Sequence, residues 1–78
     1  MQAKVCINFK DGVLDSEGKT ILNALHTLAF DSVRNVRAGR LFVLDIDAPD
    51  KQSAREVAQK ACDVLLANHI IEDYEIEL

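Results

Sequence analysis

Aromatic residues, glycine, proline and cysteine are all scarce in this chain, which has three Phe, one Tyr, no Trp, three Gly, one Pro and two Cys. So few aromatics cannot assemble the exposed base-stacking platform of a single-strand RNA module. Two cysteines, Cys6 and Cys62, are too few for a secreted disulfide scaffold. Residues 1–10 alternate polar and apolar side chains, unlike the basic start and apolar run of a signal peptide. The cysteines therefore read as small apolar residues of a reducing, cytoplasmic compartment. Neither has a second cysteine or a histidine at ligand spacing, and His26 and His69 lie far apart, so no metal site is expected. No apolar run approaches the roughly 20 residues of a membrane span. Positive charge is also in deficit. Nine basic against thirteen acidic residues give a net charge of −4, the wrong sign for a protein that neutralises phosphates.

What remains is a short chain with a regular pattern. Its 78 residues suffice for one domain, 1–78, that buries only about 60% of its unfolded surface. Such a core leaves little room for a deep, dry pocket. Domains this small gain stability from disulfides, metals or association. The first two are disfavoured, which leaves association.

Ala3, Val5, Ile7 and Phe9 alternate with Lys4, Cys6, Asn8 and Lys10, the period of a half-buried strand. Asp11-Gly12 is a turn signal. Asp15 is a helix N-cap with Glu17 in the first turn, where negative charge suits the helix dipole. Ile21, Leu22, Ala24, Leu25, Leu28 and Ala29 then form a helical stripe ending near Phe30-Asp31. Ser32 to Ala38 reads as a weaker strand, Gly39 as a hairpin, and Leu41 to Ala48 as the next strand, stopped by Pro49. Asp50 caps a second helix with the stripe Ala54, Val57, Ala58, Ala61, Cys62 and Leu65. Asn68 is placed to close it in a left-handed conformation. Tyr74, Ile76 and Leu78 mark the last strand. The order is β-α-β-β-α-β, most simply a ferredoxin-like two-layer sandwich with a four-stranded antiparallel sheet and two helices on one face. Its first and third strands would be central and adjacent.

Strand parity carries this further. If Val5, Ile7, Phe42, Leu44 and Ile46 face the helices, then Cys6, Leu41 and Val43 share the opposite face. An apolar patch that no helix covers marks an interface. Its rim would be charged, through Lys4, Asp45, Asp47, Glu75 and Glu77. Arg34, Arg37 and Arg40, close to Lys10, form the one concentration of positive charge. Fanned outward around Ala38-Gly39, they would suit the carboxylates of a partner. These six residues (Cys6, Leu41, Val43, Arg34, Arg37 and Arg40) are the candidate partner interface.

Several motifs tempt and fail. Gly12 to Thr20 sits between strand and helix like a phosphate-binding loop, but five residues separate its glycines where the motif requires four. Asp15 and Glu17 also stand where phosphate would lie. Ser16, Ser32 and Ser53 lack the glycine-flanked elbow of a nucleophilic serine. His69 and Glu72 form a loop pair with no third partner, and Asp45 and Asp47 line one face of a strand. No catalytic, cofactor-binding or metal-binding residue is assigned.

Four ordered fragments do resemble a known family. They are Lys-x-Gly-x-Leu-Asp-x-x-Gly-Lys (Lys10 to Lys19), Leu-x-x-Leu-x-Phe (Leu25 to Phe30), Val-x-x-Val-Arg-x-Gly-Arg (Val33 to Arg40), and a tail. The tail runs from Cys62 through Leu65-Leu66-Ala67-Asn68 to Ile71-Glu72-Asp73-Tyr74-Glu75-Ile76-Glu77. Together they resemble PurS, the small-subunit family of phosphoribosylformylglycinamidine synthase, over nearly the whole chain. Ser16, Ala29 and Arg40 depart from the family's usual Pro, Gly and Lys. The resemblance implies an accessory homodimer in purine biosynthesis that joins a glutaminase subunit to a large ATP-dependent synthetase subunit. It implies that ammonia is protected in transit, that ATP and magnesium sit on the synthetase, and that this chain catalyses nothing alone. Two rival readings of the same element order are an amino-acid-sensing regulatory module and an RNA-binding module. The first lacks a glycine-rich turn after the first strand, and the second lacks aromatics.

Overall fold

The computed structural model describes residues 1–78 and contains three strands and two helices. Strand β1 (Gln2–Phe9) is central, with β2 (Gly39–Asp45) and β3 (Glu72–Glu77) on either side, and both pairings are antiparallel. The alternation in β1 is realised directly: Ala3, Val5 and Ile7 are buried while Lys4 and Asn8 are exposed. Helix α1 (Ser16–Thr27) starts at Asp15, whose carboxylate accepts from Gly18 N. Helix α2 (Lys51–Ala61) starts at Asp50, which accepts from Ser53 N, and runs on into a π-helical turn, Cys62–Leu66. Both caps stand where the sequence predicts them. Backbone bonds between Met1 and Ile46, and from Lys10 N to Ile71 O, extend the two ladders beyond the strands.

The core is one layer thick. Ala54 and Ala58 on α2, with Cys62 one turn further at the start of the π-helical turn, press onto Ala3, Val5, Ile7 and Ile46. Phe42, Leu44, Tyr74 and Ile76 pack around them, half-buried. Val5, Ile7, Phe42, Leu44 and Ile46 thus share the helix side, as parity requires.

The four-stranded expectation is corrected to three. Ser32 to Ala38 forms no strand, because its backbone groups are taken by other partners. Val33 O lies 2.7 Å from His26 Nε2, Val33 N donates to Phe30 O, and Ala38 N donates to Asp15 Oδ2 at 2.7 Å. Its two valines are also spaced by three, which gives no strand face. In consequence β2, expected to be central, is an edge. A second correction concerns α1: α2 packs on β1 and β3, whereas α1 makes no extensive contact with any strand. The molecule is therefore long and thin, with extents of 49 × 24 × 14 Å. Thirdly, Asn68 is not left-handed, since the only residues with positive φ are Gly12 and Ala29. Asn68 closes its turn by side chain instead, accepting Ile70 N on Oδ1 at 3.0 Å.

Candidate functional site: two uncovered apolar surfaces

The first surface is the sheet face opposite α2. Register places Cys6 directly across from Leu41, and Val43 across from Lys4. Leu41 and Val43 are 58% and 52% exposed, and Cys6 is half-buried between strands. Three of the six sequence-predicted interface residues therefore sit together on the outer face. Beside them β3 turns out Asp73, Glu75 and Glu77, all exposed. This face is apolar along β2 and acidic along β3, with Lys4 facing Glu77 between them. Phe9, Phe42 and Tyr74 take the opposite parity, so no base-stacking surface exists on the outer face.

The three arginines do not act as one cluster. Arg37 turns back on the chain, donating from Nη2 to Phe9 O at 2.7 Å and from Nη1 to Asp11 Oδ1 at 3.3 Å. Arg40 lies on the helix side of the sheet. Its Nη2 reaches both Glu72 carboxylate oxygens, at 3.0 and 2.9 Å, and its guanidinium sits 5.7 Å from the centre of the Phe42 ring. Its place follows from being opposite inward-facing Ile7, a parity the hairpin reading overlooked. Arg34 alone has an exposed side chain with no bond inside the chain.

Glu72 is the one buried acidic residue, 9% exposed. Asn68 N donates to it at 2.8 Å, and this bond, with the Arg40 pair, holds its carboxyl below the ordinary range despite burial. It thereby ties β2 to the turn entering β3. Asp15 is likewise held low by Gly18 N, by Ala38 N and, more weakly, by the Arg37 charge. Burial and then nearby Asp63 push the Cys62 thiol up, the reverse of what a nucleophile requires. His69 pairs with Asp63 at 3.4 Å and meets the Tyr74 ring edge-on, away from Glu72.

The second surface, α1, departs from the sequence expectation of two helices on one face of the sheet. Leu14, Ile21, Leu28 and Phe30 are between 40% and 73% exposed. The signal was present in the weak strand that follows. With nothing to pair Ser32 to Ala38 to the sheet, nothing pulls α1 over it.

One recess by the sheet end, about 140 Å³, is lined by Ile7, Phe9, Glu17, Ala38, Gly39, Arg40 and Glu72. Its charged pair is already satisfied, and it is far smaller than a ligand pocket. A thin core, two bare apolar surfaces and charged groups tied into structural bonds define a small α+β association module.

Comparison with known proteins gives that module a family. The PurS profile, phosphoribosylformylglycinamidine (FGAM) synthase, matches residues 2–78. The PurS subunit of phosphoribosylformylglycinamidine synthase from Methanocaldococcus jannaschii is 36% identical, over 99% of this chain and 93% of that protein. The crystal structure of M. jannaschii PurS, a subunit of formylglycinamide ribonucleotide amidotransferase, superposes with TM-score 0.88 at 38% identity. It covers 97% of this chain and 92% of that one. A chain of the Thermotoga maritima PurLQS structure gives TM-score 0.85 at 32% identity, covering 99% and 96%. This chain belongs to the PurS family.

Proposed function

We propose that this chain, as one domain over residues 1–78, is the bridging subunit of a phosphoribosylformylglycinamidine synthase. It joins the glutaminase to the ATP-dependent synthetase in the cytoplasm and helps ammonia pass between them. ATP and magnesium belong to the synthetase, and the chemistry to the two larger subunits. The observation that carries the reading is the outer sheet face, where Cys6, Leu41 and Val43 lie bare beside an acidic strip. A contiguous apolar area with a charged rim is what a partner covers. Arg34, free of internal bonds, is available to a partner's carboxylate. Arg37 and Arg40 support it from within, by holding the segment before β2 and the turn before β3. The chain also associates with itself, since a domain with so thin a core gains from a second copy.

The decisive assay is glutamine-dependent amidine formation by the two purified catalytic subunits, with and without this chain. Stimulation by the native chain and a weaker effect of Val43→Glu are expected. Equal glutamine-dependent rates with and without it would remove the proposal.

A further inference from the structure

The outer sheet face is sorted by chemistry, column by column. Register sets three rows across the strands: Val43–Lys4–Glu77, Leu41–Cys6–Glu75 and Gly39–Asn8–Asp73. Down the strands, β2 offers exposed Leu41 and Val43, β1 offers Lys4 and half-buried Cys6, and β3 offers exposed Asp73, Glu75 and Glu77. Asp73 has Lys10 at 3.7 Å, but Glu75 and Glu77 form no ion pair inside the chain. Lys4 stands across from Glu77 without pairing to it.

That arrangement selects among occupants. A second copy of this chain fits the face badly. Stacking two such faces about a two-fold axis lays β3 over β3 or β3 over β2. Glu75 and Glu77 would then meet like charges or Leu41 and Val43, and either way carboxylates are buried without a partner. Phosphate-bearing surfaces are repelled by the same strip. What matches is a segment apolar on one side and basic on the other. Neighbouring strands lie about 4.8 Å apart, so the apolar and acidic columns are separated by about 10 Å, the width of one α-helix. Glu75 and Glu77 are about 6.8 Å apart along β3, close to the roughly 6 Å between helix residues i and i+4. Lysine or arginine stems would cross the β1 column over Cys6 and bring their charged ends to the carboxylates.

We propose that the outer face seats a basic amphipathic helix of one catalytic subunit. Its apolar side lies on Leu41 and Val43, and its Lys or Arg side chains, one turn apart, meet Glu75 and Glu77. The proposal rests on the bridging role above and names what a larger subunit presents to this face.

Binding kinetics of the purified catalytic subunits, singly and together, on the immobilised chain test it at about 50 and about 300 mM salt, which differ in charge screening. The native chain should associate faster at low salt, because rim charges steer encounter. Glu75→Gln with Glu77→Gln should flatten that dependence, and Glu75→Lys with Glu77→Lys should slow low-salt association about tenfold. Both glutamates are exposed and unpaired, so thermal midpoints should not fall. A native chain that binds neither subunit would remove the bridging role, and this seat with it. Native binding that both double variants retain at unchanged rates would overturn only the seat. Photo-cross-linking gives a second readout, with benzophenone maleimide on Val43→Cys in a Cys6→Ser background, where buried Cys62 escapes labelling. In the assembled complex it should mark one short catalytic-subunit segment with basic residues three or four apart. Adducts to a second copy of this chain or to a segment without that spacing, or no adduct at all, would overturn the seat.

Discussion

At the residue scale, the most exposed weakness is Ala29. It has φ +69°, a conformation that costs a residue with a Cβ roughly 1–2 kcal/mol. It sits there because the helix closes in a pair of hydrogen bonds: Phe30 N donates to Leu25 O at 2.9 Å and Ala29 N to His26 O at 3.0 Å. That is the glycine-favouring stop of an α-helix. Ala29→Gly should stabilise the chain by about 1 kcal/mol, seen as a higher thermal midpoint. An unchanged or lower midpoint would contradict this. Gly18 makes the opposite case. A Cβ there would strike the Asp15 carboxylate and lie 2.5 Å from Val36 O, so Gly18→Ala should lower the midpoint and loosen the Asp15–Ala38 tie. The pair of glycines that looked like a phosphate loop is thus a turn, at φ +84° for Gly12, followed by a close approach. Sequence spacing alone excluded the phosphate reading. It could not show what stands over Gly18, because Val36 comes from a segment eighteen residues on.

At the element scale, legibility tracked how much of each element's reason is local. Both N-caps, all three strands and the parity of the sheet were legible, since a cap needs only its own first turn and a strand face only its alternation. The outward-facing trio of Cys6, Leu41 and Val43 followed from that parity. The false fourth strand and the exposure of the α1 stripe could not be read from pattern, because an apolar stripe looks alike whether its cover is the same chain or another. Arg40 was misplaced for a related reason. A hairpin centred on Gly39 lets it point anywhere, whereas a strand starting at Gly39 forces it to the helix side. There the Arg40–Glu72 pair joins β2 to the turn before β3. Glu72→Gln should cost about 1–2 kcal/mol, because a charge-assisted bond at a buried carboxyl is lost and Arg40 is left without its anion. Chemical denaturation should show that loss, and Arg40→Lys should recover only part of the bond, lacking the planar guanidinium. Indistinguishable midpoints for native chain and Glu72→Gln would show that the pair does not brace the sheet.

Across the whole molecule, three carboxylates carry the same sign of pH dependence. Asp15, Asp50 and Glu72 are all held below their ordinary values in the folded chain, in each case first by a backbone N–H donor. The unfolded chain therefore binds protons that the folded chain does not, and stability must rise with pH through the acid range. Their contribution is complete above the ordinary carboxylate values of 3.8 to 4.5, and is lost as pH falls through the lower folded-state values. The three groups sit at the start of α1, the start of α2 and the turn before β3. Protonating them loosens both helix entries and the sheet brace in the same window. Thermal midpoints should thus be flat from pH 7 to about 5 and fall steeply below about 4. In Glu72→Gln the fall should be shallower, because one of the three proton-linked groups is gone while the caps remain. A midpoint that rises on acidification below pH 5 would mean that relief of the net charge of −4 outweighs the loss of these bonds.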